Sequence, residues 1–260
     1  MTSAYIISNI KNSILTLTLN RPDLHNAFND ETIALLTQKL KDAETDANVR
    51  VIMLAANGKS FCAGADLNWM RKMVHYTYEQ NLADARALAE LMQTLHGLSK
   101  PTIALVQGAA YGGGVGLIAC CNIAIASDTA IFCFSETKIG LVPAVISPYV
   151  IRAMGERAAQ RYFLTAETLD AYEAHRLGLI HIITNAEQLI DTGNSIAETL
   201  LNNSPQALRE TKKLTREINS LSIDAAINTT TNCIAKIRIS TEGQEGLNAF
   251  LEKRKPDWAK

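Results

Sequence analysis

Two glycine-bearing segments and one carboxyl carry the chemistry this sequence offers. The first segment, Gly108-Ala109-Ala110-Tyr111-Gly112-Gly113-Gly114-Val115-Gly116, follows an apolar run and opens an apolar helical pattern. Glycine-rich chain entering a helix aims unpaired N–H groups at one spot, aided by the positive end of the helix dipole. Such a spot holds a phosphate or the oxyanion of a polarised carbonyl. Tight helix-on-sheet packing explains two of these glycines but hardly three in a row. The second segment, Ser60-Phe61-Cys62-Ala63-Gly64-Ala65-Asp66, is another small-residue entry to a helix, with Asp66 suited to its N-terminal turn. Two strands, each followed by such a bend, place two donors on one pocket, which is the architecture of an oxyanion hole. Each donor aimed at developing charge is worth about 2.7–4 kcal/mol. An acid or base is then required. Glu136 follows Phe132-Cys133-Phe134, and desolvation beside so much apolar surface raises a carboxyl pKa towards neutrality. Proton transfer by such a group contributes roughly 10²–10⁴-fold. A solvent-edge pair between Glu136 and Lys138 fits the same spacing equally well.

Other motifs fail on spacing. Asn57-Gly58-Lys59-Ser60 ends like a phosphate loop, but its opening glycine should fall at Met53. No G-x-S-x-G is present, which removes the usual serine-hydrolase elbow. His25, His75, His96, His175 and His181 form no H-x-x-x-H pair, and no metal site is expected. Gly112 to Asp128 resembles a dinucleotide loop, except that the third glycine of G-x-G-x-x-G falls at Leu117.

The elements that must position these groups follow from hydrophobic periodicity. Leu15, Leu17 and Leu19 alternate with threonines in a strand that ends at the turn Asn20-Arg21-Pro22-Asp23. Asn29-Asp30-Glu31 opens a helix carrying Ile33, Leu36 and Leu40. Residues 51–55 and 101–106 are short apolar runs of the kind buried on both faces of a sheet, and 123–126 and 130–134 are the next two strands. Residues 57–64 read as a loop. Helix is expected from Asp66 to about Gly97 with a break near 75–77, and again from Gly114. Beyond Gly140 the chain is mostly helical, interrupted by a short strand at 181–184. No internal repeat is visible. The pattern is an α/β core followed by helices, with the boundary placed at 186/187.

Composition bounds the partners. The 260 residues carry 25 Lys+Arg against 26 Asp+Glu, a net charge of −1, without the basic footprint of a nucleic-acid binder. The uncharged stretch 102–127 is too polar for a membrane helix, and no basic and apolar leader opens the chain. Five cysteines without C-x-x-C spacing point to free thiols in the reducing cytoplasm.

Taken together, these residues resemble the crotonase superfamily of enoyl-CoA hydratases and isomerases. The resemblance runs through Asn20-Arg21-Pro22 with Asn26-Ala27, Phe61 to Leu67, Gly108 to Gly114, Ser135-Glu136 with Gly140-Leu141-Val142-Pro143, and Gly178-Leu179-Ile180. It ends in Glu245-Gly246-Leu247 and 249–256. It implies a spiral of ββα units over 1–186 and a helical C-terminal trimerisation region over 187–260, assembled as a homotrimer or a dimer of trimers. It also implies an acyl-CoA substrate whose thioester oxygen is held by the N–H groups of Ala65 and Gly113, with Glu136 catalytic and no cofactor beyond the CoA of the substrate. The CoA arm and acyl group would lie near Leu24, His25, Ala27, Ala63, Asp66, Leu67, Tyr111, Gly112 and Pro143, and a neighbouring subunit would lend Phe250 and Lys253.

Two departures stand out. Hydratases of this family commonly carry a second glutamate where this chain has Gly116. A single Glu136 acting as both base and acid is one scheme; help from Tyr111, Ser147 or the substrate's own carboxylate is another. The segment 142–149 also lacks the usual glycine-rich stretch, which resembles the bacterial methylglutaconyl-CoA hydratases. Lys138 and Arg152 are the cations expected for a distal carboxylate. A double-bond isomerase, a non-catalytic acyl-CoA binder and a nicotinamide oxidoreductase remain as rival functions.

Overall fold

The computed structural model describes residues 5–259. It opens with the hairpin β1 (Ile6–Lys11) and β2 (Ile14–Leu19), joined by Asn12 and Ser13 at φ 51° and 62°. Two successive positive φ values make the tight turn whose twist matches that of paired strands. β1 escapes sequence patterning because it is an edge strand with only Ile6 buried. Helix α1 (Asp30–Thr45) starts at the Asn29 cap, as expected, and buries Ile33, Leu36 and Leu40.

Three turns of one unit follow. The first is β3 (Val51–Ala56), β4 (Ser60–Cys62), α2 (Leu67–Met73) and α3 (Tyr78–Gly97). The second is β5 (Thr102–Val106), β6 (Ala109–Tyr111) and α4 (Gly113–Cys120). The third is β7 (Ile123–Ser127), β8 (Ile131–Cys133), α5 (Ser147–Met154) and α6 (Glu156–Thr165). Then come β9 (Leu169–Asp170), α7 (Ala171–Arg176), β10 (Ile182–Thr184), α8 (Leu189–Leu201), α9 (Pro205–Ile218), α10 (Ile223–Arg238) and α11 (Thr241–Leu251). The first strand of each turn joins a six-stranded sheet ordered β1-β2-β3-β5-β7-β10. The second joins a four-stranded sheet ordered β4-β6-β8-β9. The repeat invisible in the residues is therefore present in the architecture. It stays hidden because β4 and β6 have three residues each, too few to show a period of two. The segment 57–64, read as a loop, contains β4. The break expected near 75–77 is present: α2 ends at Met73, and Thr77 with Gln80 forms a capping box for α3.

The central strands of the six-stranded sheet are buried on both faces. Ile52, Leu54, Ala104, Val106, Ala124 and Ala126 point into the main core, under α1, α3 and α4. Val51, Met53, Ile103, Leu105 and Ile125 point the other way, onto Leu189 and Ala197 of α8. At about 25 cal/mol per Å² of apolar surface, each large side chain buried here contributes about 1.5–3 kcal/mol. Beyond α8 the helices leave the sheet: α10 and α11 pack on α9 and on each other, with Ile223, Ile227, Ile234, Leu247, Phe250 and Leu251 exposed. No helix among the described residues is long and apolar enough to cross a membrane.

Candidate active site

β4, β6 and β8 are consecutive parallel neighbours in the smaller sheet, paired Cys62↔Ala110 and Tyr111↔Cys133. Their C-terminal ends lead, within three residues, to Ala65, Gly113 and Glu136. Adjacent strands lie about 4.8 Å apart, so topology alone sets the three groups in a row about 10 Å long. Crevices beyond the C-terminal ends of parallel strands are where open α/β sheets bind ligands.

The Ala65 donor is freed by a short pairing with an earlier segment. Phe28 N–H donates to the Gly64 carbonyl and Asp66 N–H to the Phe28 carbonyl, each at 2.7 Å. In a parallel pairing the flanking residues make the bonds, and the residue between them turns its N–H to the opposite side. The Ala65 N–H thus points away from Phe28 and has no acceptor among the described residues. The bend requires Gly64 at φ 87°, and a Cβ there would lie 3.4 Å from the Tyr111 carbonyl, which shows how close the two loops run. Asp66 locks the bend. Its carboxylate caps α2 through Asn68 N–H and Trp69 N–H and meets Arg21 Nη2 at 2.8 Å, with both side chains nearly buried. Burial pushes this carboxyl up, but the Arg21 hydrogen bond and the two amides outweigh it and hold it below the usual carboxylate range. Asp66, expected among the CoA contacts, spends its carboxylate on Arg21 and the first α2 amides, and its own N–H and carbonyl on Phe28 and Met70. Arg21 also donates to the Ala27 carbonyl and covers the Tyr5 ring. Nothing in the turn Asn20-Arg21-Pro22-Asp23 by itself shows that Arg21 pairs with Asp66.

The Gly113 donor arises from a helix start. Gly112 N–H bonds the Cys133 carbonyl, and the N–H groups of Val115 and Gly116 bond the Gly112 carbonyl. The first α4 amides, Gly113 and Gly114, remain unpaired among the described residues. Gly112 sits at φ 48° and ψ −116°, and a Cβ there would be 2.8 Å from Glu136 Oε1. The carboxyl therefore lies directly against the backbone that carries the donor. Glu136 opens a short 3-10 turn over 136–139, tied to α6 by Thr137 Oγ1 on the Phe163 carbonyl and by edge-to-face Phe134 and Phe163. Its Oε2 is buried without a partner. Burial pushes the Glu136 carboxyl up, its own backbone N–H only partly opposing this. The alternative pair with Lys138 is absent among the described residues, where Lys138 is exposed and makes no ion pair. Cys62 is close by, but burial pushes its thiol up to about 12 and removes it as a nucleophile.

The other expected contacts divide into groups. Ala63 N–H bonds the His25 carbonyl, zipping 25–28 to 63–66, so Leu24, His25, Ala27, Ala63 and Leu67 share one wall. Leu24 and Leu67 are exposed on it, and His25 Nδ1 lies 3.1 Å from Ser60 Oγ. Tyr111 ends β6, half-buried, while Pro143 is buried in the loop before α5. Phe250 and Lys253 are exposed, and within this chain α11 packs on α9 and α10. Arg152, expected near a distal carboxylate, lies instead beside His96, beyond the C-terminal end of α4.

Packing accounts for more of the glycine run than expected. A Cβ on Gly114 would sit 2.7 Å from the Cys62 carbonyl, and one on Gly113 would sit 3.1 Å from the Phe28 ring. One on Gly116 would overlap Ile146 and approach Met92 Cε at 3.2 Å. Ile146 and Met92 are both buried, so the place of a second glutamate is filled with hydrocarbon.

Residues 9–260 match the enoyl-CoA hydratase/isomerase family. The chain is 32% identical to 1,2-epoxyphenylacetyl-CoA isomerase of Escherichia coli (strain K12), over 98% of each protein. It is 30% identical to 2,3-dehydroadipyl-CoA hydratase of the same organism, over 94% of each. A crystal structure of an enoyl-CoA hydratase from Shewanella pealeana ATCC 700345 superposes with a TM-score of 0.95 at 48% identity, covering 99% of this chain and 97% of that one. On fold and sequence alike, this chain belongs to the enoyl-CoA hydratase/isomerase family.

Proposed function

We propose that the protein is a hydro-lyase that adds water across the double bond of a 2-enoyl-CoA, with branched or carboxylated acyl groups such as methylglutaconyl among its substrates. The observation that carries this reading is the convergence of two unpaired amides and one desolvated carboxyl at the ends of three adjacent parallel strands. The amides of Ala65 and Gly113 hold the thioester oxygen, where enolate charge develops. Glu136 takes a proton from water as the water oxygen bonds to the third acyl carbon, and the electron pair of the double bond moves towards the thioester. The same carboxyl then returns a proton to the second carbon, so the net change is one water added on one face. No further cofactor enters this scheme. The wall formed by 24–28 and 63–67 receives the CoA arm. A homotrimer or dimer of trimers, in which a neighbour's Phe250 and Lys253 complete that wall, accords with the apolar surface of α10 and α11. The free thiols accord with a cytoplasmic location.

The hydrocarbon filling at Gly116 favours a second reading, a double-bond isomerase, because moving a proton between two carbons needs one carboxyl and no water. Crotonyl-CoA, methylglutaconyl-CoA and a 3-enoyl-CoA, each followed by the absorbance of the conjugated thioester, separate the two. Loss of absorbance from the first or second supports hydration. A gain from the third alone supports isomerisation, and binding without either change supports a non-catalytic acyl-CoA binder.

A further inference from the structure

The end of α4 remote from the two amides borders a solvent-open cavity of about 480 Å³, lined by residues of α3, α4, α5 and α9. His96, Arg152, His181, Lys212 and Arg216 line it, with no carboxylate among the described residues. Arg152, Lys212 and Arg216 make no ion pair among the described residues. Lys212 Nζ donates to the Lys100 carbonyl at 2.7 Å, Arg216 Nη1 to the His96 carbonyl at 2.9 Å, and Arg152 Nη1 to His96 Nε2 at 3.1 Å. Glu44, which attracts Lys212, lies outside the cavity and accepts the Ser99 N–H.

The charge is under-compensated. Lys212 is only 9% exposed, and burial, with Arg216 adding to it, pushes its amine down to about 8. Burial together with Arg152, Arg216 and Lys212 pushes His96 down to about 4, so its Nε2 is free to accept from Arg152. Cations confined with low-dielectric walls focus a field that concentrates anions. Two guanidinium forks can each pair with two oxygens of a carboxylate or phosphate. The volume is that of a small-molecule site, larger than a bare ion needs. Met92 and Ile146 pack on Gly116 midway along α4, and the length of that helix, about 12 Å, separates the cavity from the reaction centre.

We propose that this cavity is an anion site separate from the reaction centre, taking a small molecule that carries a phosphate or a carboxylate group. The test is calorimetric titration of the full chain with inorganic phosphate and, separately, with succinate. It is run in low-chloride buffer with free coenzyme A at saturation, so that the CoA wall is occupied. The expected result is saturable binding of one probe, one per chain, weakened at least 10-fold by Arg152→Gln, whose side chain is exposed. A further loss is expected in the Arg152→Gln, Arg216→Gln double variant. Phosphate binding alone identifies a phosphoester ligand, and succinate binding alone a carboxylate. The proposal is overturned if neither probe binds, if coenzyme A displaces the probe, or if Arg152→Gln binds like the wild type with an unchanged circular dichroism spectrum.

Discussion

The two ends of α4 make opposite use of one helix. At its start, glycines let the chain approach Cys62, Phe28 and Glu136, and two amides are left without partners beside a carboxyl. At its finish, Cys120 and Cys121 are buried and arginine, lysine and histidine gather around a cavity. The backbone dipole runs the same way through both: its positive end favours a developing oxyanion, its negative end tolerates cations. The dipole does not fully compensate either end. Glu136 is held above the usual carboxylate range, and Lys212 is held well below that of an amine. Burial thus shifts an ionisable group at each end, once where chemistry is expected and once where it is not.

The sharpest break of this contrast is Glu136→Gln. Turnover with crotonyl-CoA should fall by about 10³ or more while acyl-CoA affinity stays within a few fold. The same change should raise stability at pH 8. Glu136 has a folded pKa above its unfolded one, so its contribution falls as pH rises through that window, and a neutral amide removes the loss. A thermal midpoint unchanged or lowered at pH 8 would contradict the desolvation argument. Gly116→Glu, which restores the two-carboxylate pattern, should cost about 3 kcal/mol and lower the midpoint by roughly 6–12 °C, because Ile146 already fills the space. Adding Ile146→Ala should recover part of the loss.

Next in size, Ala65→Pro removes one donor and should slow turnover about 10²-fold, while Ala65→Gly keeps the N–H and should stay within a few fold. Equal rates in the two variants would remove that amide from the mechanism. At the other end of α4, Lys212→Met isolates the buried amine. The folded pKa of about 8 lies below the unfolded value of about 10.4, so the native state sheds this proton first. Stability should therefore rise for the wild type relative to Lys212→Met by about 2 kcal/mol between pH 8 and 9.5, and stay level below pH 7. Denaturant midpoints across that range measure it.

Much of this was legible in the residues. β2 announced itself through alternation, β3, β5 and β7 through unbroken apolar runs, α1 through an Asn cap, and the carboxyl at Glu136 through the apolar run before it. β4 and β6 were not legible, since three-residue strands show no period. The bond network around Asp66 was not legible either. Its partner Arg21 is 45 residues away in the chain, and nothing in local spacing distinguishes a cap that also accepts a guanidinium from one that does not. Arg152 was misplaced for the same reason: position in the sequence says little about which side of a packed helix a side chain reaches.

What the sequence determined by itself was a menu of local conformations: which segments extend, which coil into helices, and where only glycine tolerates the backbone. Those outcomes depend on neighbours a few residues apart. Tertiary structure alone decided that Ala65, Gly113 and Glu136 share one row, that Ile146 occupies the place beside Gly116, and that three cations face one cavity. Each is set by strand order and helix packing between segments tens of residues apart. Burial, which raises one carboxyl and lowers one amine, exists only once those segments have closed over them.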